Sequence, residues 1–198
     1  MGDRRVKHPN LASIKSNNNK IFDFKDVIES IEGHLVIQFD NQKLLDLLKT
    51  AADNTITTIN NVPKFKGRPN EFGNLVQWFF SKECVNIGLD YNTPKDNKGH
   101  SKDSGYPDGE IKFEDTYYYI EVKTYEQSKK TQTLRSFFYS PSATSKITRD
   151  ASHLLVGFST KDIKLIGYHF TDMFTKKVKL KLEFNTNNKA LYNNSELL

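Results

Sequence analysis

Apolar residues at Phe72, Leu75, Val76, Phe79 and Phe80 fall at i, i+3, i+4, i+7 and i+8 along the chain. That stripe predicts a core-facing helix from about Glu71 to Cys84, entered through the turn sequence Gly67-Arg68-Pro69-Asn70. Two shorter helical patterns precede it. Phe24, Val27, Ile28 and Ile31 form one, with Asp23 placed to cap it and Gly33 to end it. Leu44, Leu45, Leu47 and Leu48 form the other, over Gln42 to Ala52. The first twenty residues, with Arg4, Arg5, Lys15 and Lys20, carry no apolar period. Residues 1–66 therefore read as a basic arm followed by a small helical N-terminal lobe.

Beyond the long helix, Asn92 to Gly105 is almost devoid of apolar residues and reads as a long mobile loop. The period then changes from 3.6 to two. Ile111 and Phe113 alternate with polar positions, Tyr117 to Thr124 is rich in β-branched and aromatic types, and Glu114-Asp115 marks a hairpin turn between them. Gln127 to Asp150 is polar and basic, with room for a short helix. Strand patterns return at Leu154 to Ser159 and Ile163 to Phe170, joined by Thr160-Lys161-Asp162, and again over 178–184; the tail, 185–198, is polar. The expected architecture is one compact α/β domain, a mixed central β-sheet flanked by helices, with residues 67–184 as its core.

Composition narrows the setting. A chain of 198 residues suits one domain, and 14 Phe with 9 Tyr supply an aromatic core. A lone cysteine, Cys84, excludes an internal disulfide and a four-thiolate zinc site, which points to the cytoplasm. No apolar run approaches the roughly 20 residues of a membrane span, and Met1-Gly2-Asp3-Arg4-Arg5 leads into polar residues, so neither secretion nor membrane insertion is expected. The net charge of +5 favours a polyanionic partner. It does not identify one, because only five of the 29 basic residues are Arg and the chain is also crowded with Asn.

The chemistry lies in Pro107-Asp108 followed by Glu121-Val122-Lys123. Alternate strand residues share a face, so Glu121 and Lys123 point the same way as Tyr117 and Tyr119, while Ile120 and Val122 face the core. An antiparallel hairpin through Glu114-Asp115 brings Asp108 beside Glu121. Two carboxylates offer hard oxygens to Mg²⁺, which lowers the pKa of a bound water, and the ammonium serves the nucleophile and the charge of the transition state. An acid-x-Lys tripeptide occurs five times, but only this one combines strand context with workable spacing from the single Pro-Asp. Tyr106-Pro107-Asp108-Gly109 is also an ordinary β-turn sequence, so the motif needs its context.

These residues resemble the PD-(D/E)XK nuclease superfamily, and among its members a small type II restriction endonuclease. The likeness spans about Pro69 to Phe170 in the order helix, hairpin, polar segment, strands. It implies a restriction-endonuclease-like core and Mg²⁺-dependent hydrolysis of double-stranded DNA, with Mn²⁺ a substitute. Asp108 and Glu121 are then metal ligands and Lys123 the catalytic lysine. Glu71, from the preceding helix, matches the extra acid that many members add. Glu110 shares a face with Asp108 and is a further candidate ligand. Repair and junction-resolving nucleases use the same core, and a DNA-binding module without catalysis also fits the basic residues. The segment 127–149 leaves the catalytic strand directly and offers Gln127, Lys129, Lys130, Gln132, Arg135, Lys146 and Arg149, types that read base edges or hold phosphates. A palindromic site cut on both strands is read most simply by a homodimer.

Overall fold

The computed structural model describes residues 16–61, 67–102, 104–131, 137–183 and 185–187. Its elements run β1 (Ile21–Asp23), α1 (Phe24–Glu32), β2 (Val36–Ile37), α2 (Gln42–Asn61), α3 (Pro69–Asn86), β3 (Asp90–Asn92), β4 (Gly109–Phe113), β5 (Thr116–Glu126), β6 (Ala151–Lys161), β7 (Lys164–Asp172) and β8 (Lys177–Lys179). Residues 23–176 make one unit; the described parts of 1–22 and 177–198 make a second. In the smaller unit β1 and β8 form a two-stranded sheet, with Asn19 N–H donating to Leu180 O at 2.8 Å and Leu180 N–H to Lys20 O at 2.9 Å.

In the larger unit six strands form a mixed sheet ordered β2-β6-β5-β4-β3, with β7 also on β6. The hairpins β3–β4, β4–β5 and β6–β7 are antiparallel, whereas β5 and β6 are parallel from Tyr118↔Ser152 to Glu126↔Thr160. A parallel pair needs a long crossover, and residues 127–150 supply it. Among the described residues this crossover contains a 3₁₀ turn, Gln127–Lys129, and 132–136, within the stretch that has room for a short helix, lie outside the described residues.

The two faces of the sheet have different chemistry. On one, Ile111, Tyr118, Ile120, Val122, Leu154, Val156 and Phe158 meet Leu44, Leu48, Ala51 and Ile59 of α2 and Phe72, Val76, Phe80 and Cys84 of α3. The opposite face carries the odd-numbered residues of β5 and β6, including Tyr119, Glu121, Lys123 and His153. There α1 sends Phe24 into a nest of rings with Tyr106, Phe137 and His153, at centroid distances of 5.5–6.0 Å. Helices α1 and α2 thus serve opposite sides of one sheet. Neither builds a separate lobe core.

Local signals set several boundaries. Helix α1 starts after Asp23 and stops at Gly33, which takes φ +74, a conformation without cost for glycine alone. Helix α2 runs nine residues past the expected Ala52. Its last half, Asn54-Thr55-Ile56-Thr57-Thr58-Ile59, is rich in β-branched residues that favour strands. Burial of Thr55 and Ile59 against the sheet overrides that preference, and Thr55 returns its hydroxyl to Ala51 O at 2.7 Å.

The 92–105 stretch is not the featureless loop expected. Buried Asp96 accepts the N–H groups of Lys98 and His100, each at 2.9 Å, and Asn97 N–H reaches Ser145 O at 2.9 Å. One carboxylate folds the loop on itself, and a backbone contact moors it to the crossover. The strand expected over 178–184 is confined to β8, and Phe184 lies outside the described residues.

The core hinges on Phe80, which is fully buried and meets Phe158 at 5.7 Å and Tyr91 at 6.4 Å between ring centroids. Phe80→Ala is expected to cost about 3–5 kcal/mol of stability. Urea denaturation should show the loss as a lower midpoint with an unchanged slope.

Candidate active site

The β4–β5 hairpin builds the site. Its two-residue turn, Glu114-Asp115, has Glu114 at φ +53 and fixes the register from Phe113↔Thr116 to Gly109↔Ile120. Asp108, one residue before the first paired position, thereby comes beside Glu121. Its Oδ2 accepts the Val122 N–H at 2.8 Å, so the side chain takes the place of a ladder carbonyl. Gly109 follows because nothing larger fits: a Cβ there would stand 2.0 Å from Tyr91 Oη. The Tyr91 hydroxyl is buried without a hydrogen-bond partner.

Glu121 is 3% exposed, and its Oε1 lies 2.5 Å from Lys123 Nζ. Burial, then the charge of Asp108, push its pKa up to about 7, with Lys123 and Lys146 pulling the other way. Asp108 is also raised by burial, against the pull of Lys123, the Val122 N–H and Lys146. Glu121 Oε2 is buried with no hydrogen-bond partner. Two crowded carboxylates, one with an orphaned oxygen, form a donor set suited to a hard divalent cation. Among the described residues no cluster of three or more His, Cys, Asp or Glu has metal-binding geometry, so the protein itself offers two carboxylates. Mg²⁺ commonly keeps several waters and takes one or two carboxylates plus phosphate oxygens.

Glu71 is used differently. Its Oε2 accepts the Arg68 N–H at 3.0 Å and caps its own helix, a satisfied position at the positive end of the helix dipole. The helix does begin beside β5, since a Cβ on Gly73 would lie 3.3 Å from Thr124 Oγ1. Glu110 instead faces Arg149, with Oε2 3.4 Å from Nε.

The residues expected to meet DNA are distributed unevenly. Gln127, Lys129 and Lys130 are exposed; Lys129 Nζ pairs with Glu126 Oε2 at 2.9 Å, and Lys130 Nζ lies 3.1 Å from His169 Nε2. Gln132 and Arg135 lie outside the described residues. Lys146 is not on the surface: it is 3% exposed, donates to Lys102 O at 3.2 Å and pulls the pKa of both acids down. Sequence offers no pattern to place it, because the described stretch that carries it, 137–150, is irregular. Arg149 stacks over Tyr117 with its guanidinium carbon 4.1 Å from the ring centre.

Behind the acids, His153 Nδ1 and Tyr106 Oη are 2.7 Å apart in the aromatic nest. The register Tyr119↔His153 puts this histidine on the polar face. Nothing in the spacing of the histidines singles it out.

The model of the type II restriction enzyme MjaV family matches residues 14–195. The type II restriction enzyme MjaV of Methanocaldococcus jannaschii is 29% identical, with 85% of this chain and 84% of that protein covered.

Burial moves the His153 pKa from 6.5 down to about 3 and keeps the ring neutral. The unfolded chain takes up a proton that the fold refuses. Stability from this residue is therefore full above pH 6.5 and falls as the pH drops toward 3. His153→Gln is expected to flatten this acid-side slope, read as denaturation midpoints across the same range.

Proposed function

On the premise that the chain belongs to the type II restriction enzyme MjaV family, we propose that Asp108 and Glu121 hold a divalent cation and Lys123 acts on the attacking water in sequence-specific cleavage of double-stranded DNA. The observation that carries this reading is the acid pair, Glu121 buried and Asp108 half-buried, in which Glu121 Oε2 has no partner while Oε1 lies 2.5 Å from Lys123 Nζ. The bound ion, Mg²⁺ with Mn²⁺ as a substitute, supplies a lowered water pKa and charge neutralisation at the phosphate.

The chain's own residues do the rest. Val122 N–H fixes the Asp108 carboxylate, and the strand holds Glu121 and Lys123 rigidly toward one point. Glu121 must shed its proton to act as a ligand, and a cation beside it stabilises the ionised form. Lys123, about a third exposed and paired with Glu121 Oε1, orients water and offsets charge on the phosphorane-like transition state. Lys146 adds a second positive charge behind the pair, so the acids stay ionised more readily than their burial alone permits. Glu71 joins as an outer acid only if its cap on Arg68 opens.

Family membership favours restriction over repair or a DNA-binding module without catalysis. A homodimer reading a palindrome is the simplest assembly for cutting both strands, and light scattering with and without DNA tests it. No helix among the described residues is long and apolar enough to cross a membrane, and the reading places the enzyme in the cytoplasm with its DNA.

Plasmid digestion with and without Mg²⁺, followed by mapping of the ends, should give discrete fragments only with the metal. Smears, or cutting confined to branched DNA, would contradict a restriction activity. Lys123→Ala is expected to abolish cleavage while DNA affinity stays within about tenfold. Asp108→Ala and Glu121→Ala should lose Mg²⁺ and Mn²⁺ binding in titration calorimetry; unchanged affinity would remove them as ligands.

A further inference from the structure

Arg149 occupies an unusual setting for a basic residue at the end of an irregular segment. Its guanidinium carbon sits 4.1 Å from the centre of the Tyr117 ring, and its Nε faces Glu110 Oε2 at 3.4 Å. The flanking backbone is fixed as well, because Thr148 N–H donates to Tyr119 Oη at 3.0 Å. A ring beneath the plane and a carboxylate at one edge define the orientation of a guanidinium, and the planar fork loses little further freedom on making paired hydrogen bonds.

The free edge is identifiable. Arg149 Nε is shielded from solvent and makes no hydrogen bond, its approach to Glu110 Oε2 being an ion pair, yet the side chain as a whole is 41% exposed. The exposure belongs to the rest of the side chain, which includes the Nη fork. Opposite Nε, that fork carries the two parallel N–H groups that match guanine O6 and N7.

The position is right for reading close to a cut. Glu110 is two residues from Asp108 on the polar face, and Tyr117 is four residues from Glu121 on the same face. At about 3.4 Å per strand residue, the cradle stands about 7–14 Å from the acid pair, measured along the strands. That span equals about two to four base steps of 3.4 Å each.

Resting on the endonuclease reading above, we infer that Arg149 is a specificity-determining residue that contacts a guanine edge within a few base pairs of the scissile phosphate, with Tyr117 and Glu110 as its positioning residues. Tyr117 supplies the stacking plane, and the Glu110 carboxylate attracts the Nε edge by charge. A phosphate also takes the Arg fork bidentately, and loss of discrimination at a single base pair is what separates a base contact from a phosphate contact.

The test is cleavage of a duplex library with randomised positions, sequenced at the ends, for wild type, Arg149→Ala, Arg149→Lys, Tyr117→Leu and Tyr117→Phe. The expected result is that both Arg149 variants lose discrimination at one G·C pair by about 5- to 150-fold while the other positions keep their preference. Tyr117→Leu relaxes the same position less, and Tyr117→Phe, which keeps the ring, restores it. Where a variant no longer cuts, competition binding between the mapped site and its single-base variants reads the same ratio. Arg149→Lys keeps a charge beside Glu110 and carries the test if Arg149→Ala fails to fold. Retention of the wild-type preference in both Arg149 variants, with weaker binding to every sequence and a shallower salt dependence, overturns the inference in favour of a phosphate contact. Absence of any Mg²⁺-dependent cutting by the wild type would instead sink the endonuclease reading itself.

Discussion

Asp108 and Glu121 repel each other, and burial disfavours the charge of both, so the fold must supply something in return for holding them together. It does so first through the Val122 N–H, which donates to Asp108 Oδ2 at 2.8 Å. That donor belongs to the middle of β5, on a peptide flanked by Glu121 itself. One hydrogen bond therefore ties the loop-borne acid to the strand-borne one. Lys123 and Lys146 add positive charge from the exposed and the buried side, and the remaining deficit is visible in the raised pKa of both carboxyl groups. The cation proposed for this pair would offset that deficit.

This arrangement needs a sheet with two unlike faces. The even-numbered residues of β5 and β6 bury apolar side chains under α2 and α3, which makes the strands rigid. The odd-numbered residues carry the polar groups, with Tyr119, Glu121 and His153 themselves buried, and the aromatic nest around His153 seals the portion nearest α1. Core and chemistry thus share one strand. A two-residue repeat separates them, and neither compromises the other.

That division was legible in the sequence where it depended on periodicity. The stripe of Phe72 to Phe80 gave α3, and alternation with the Glu114-Asp115 turn gave the hairpin and brought Asp108 to Glu121. Interactions distant in sequence left no such mark. The length of α2 depends on the burial of Thr55 and Ile59 against strands a hundred residues later. The order in the 92–105 loop depends on one aspartate whose capacity to accept two N–H groups is unremarkable in composition. Lys146 reads as a surface lysine until the crossover folds back behind the acids, and Glu71 reads as a free acid until Arg68 N–H claims it. The short strands β2 and β3 have too few residues to show a period at all.

The tight turn at Glu114-Asp115 has an evolutionary corollary. Because strand side chains alternate, adding or removing a single residue there would present Asp108 to the apolar face and withdraw it from Glu121. The same change in the described irregular stretch of the crossover, 137–150, would be absorbed without a change of register. Natural variation in length among relatives should consequently accumulate in the crossover and avoid the hairpin.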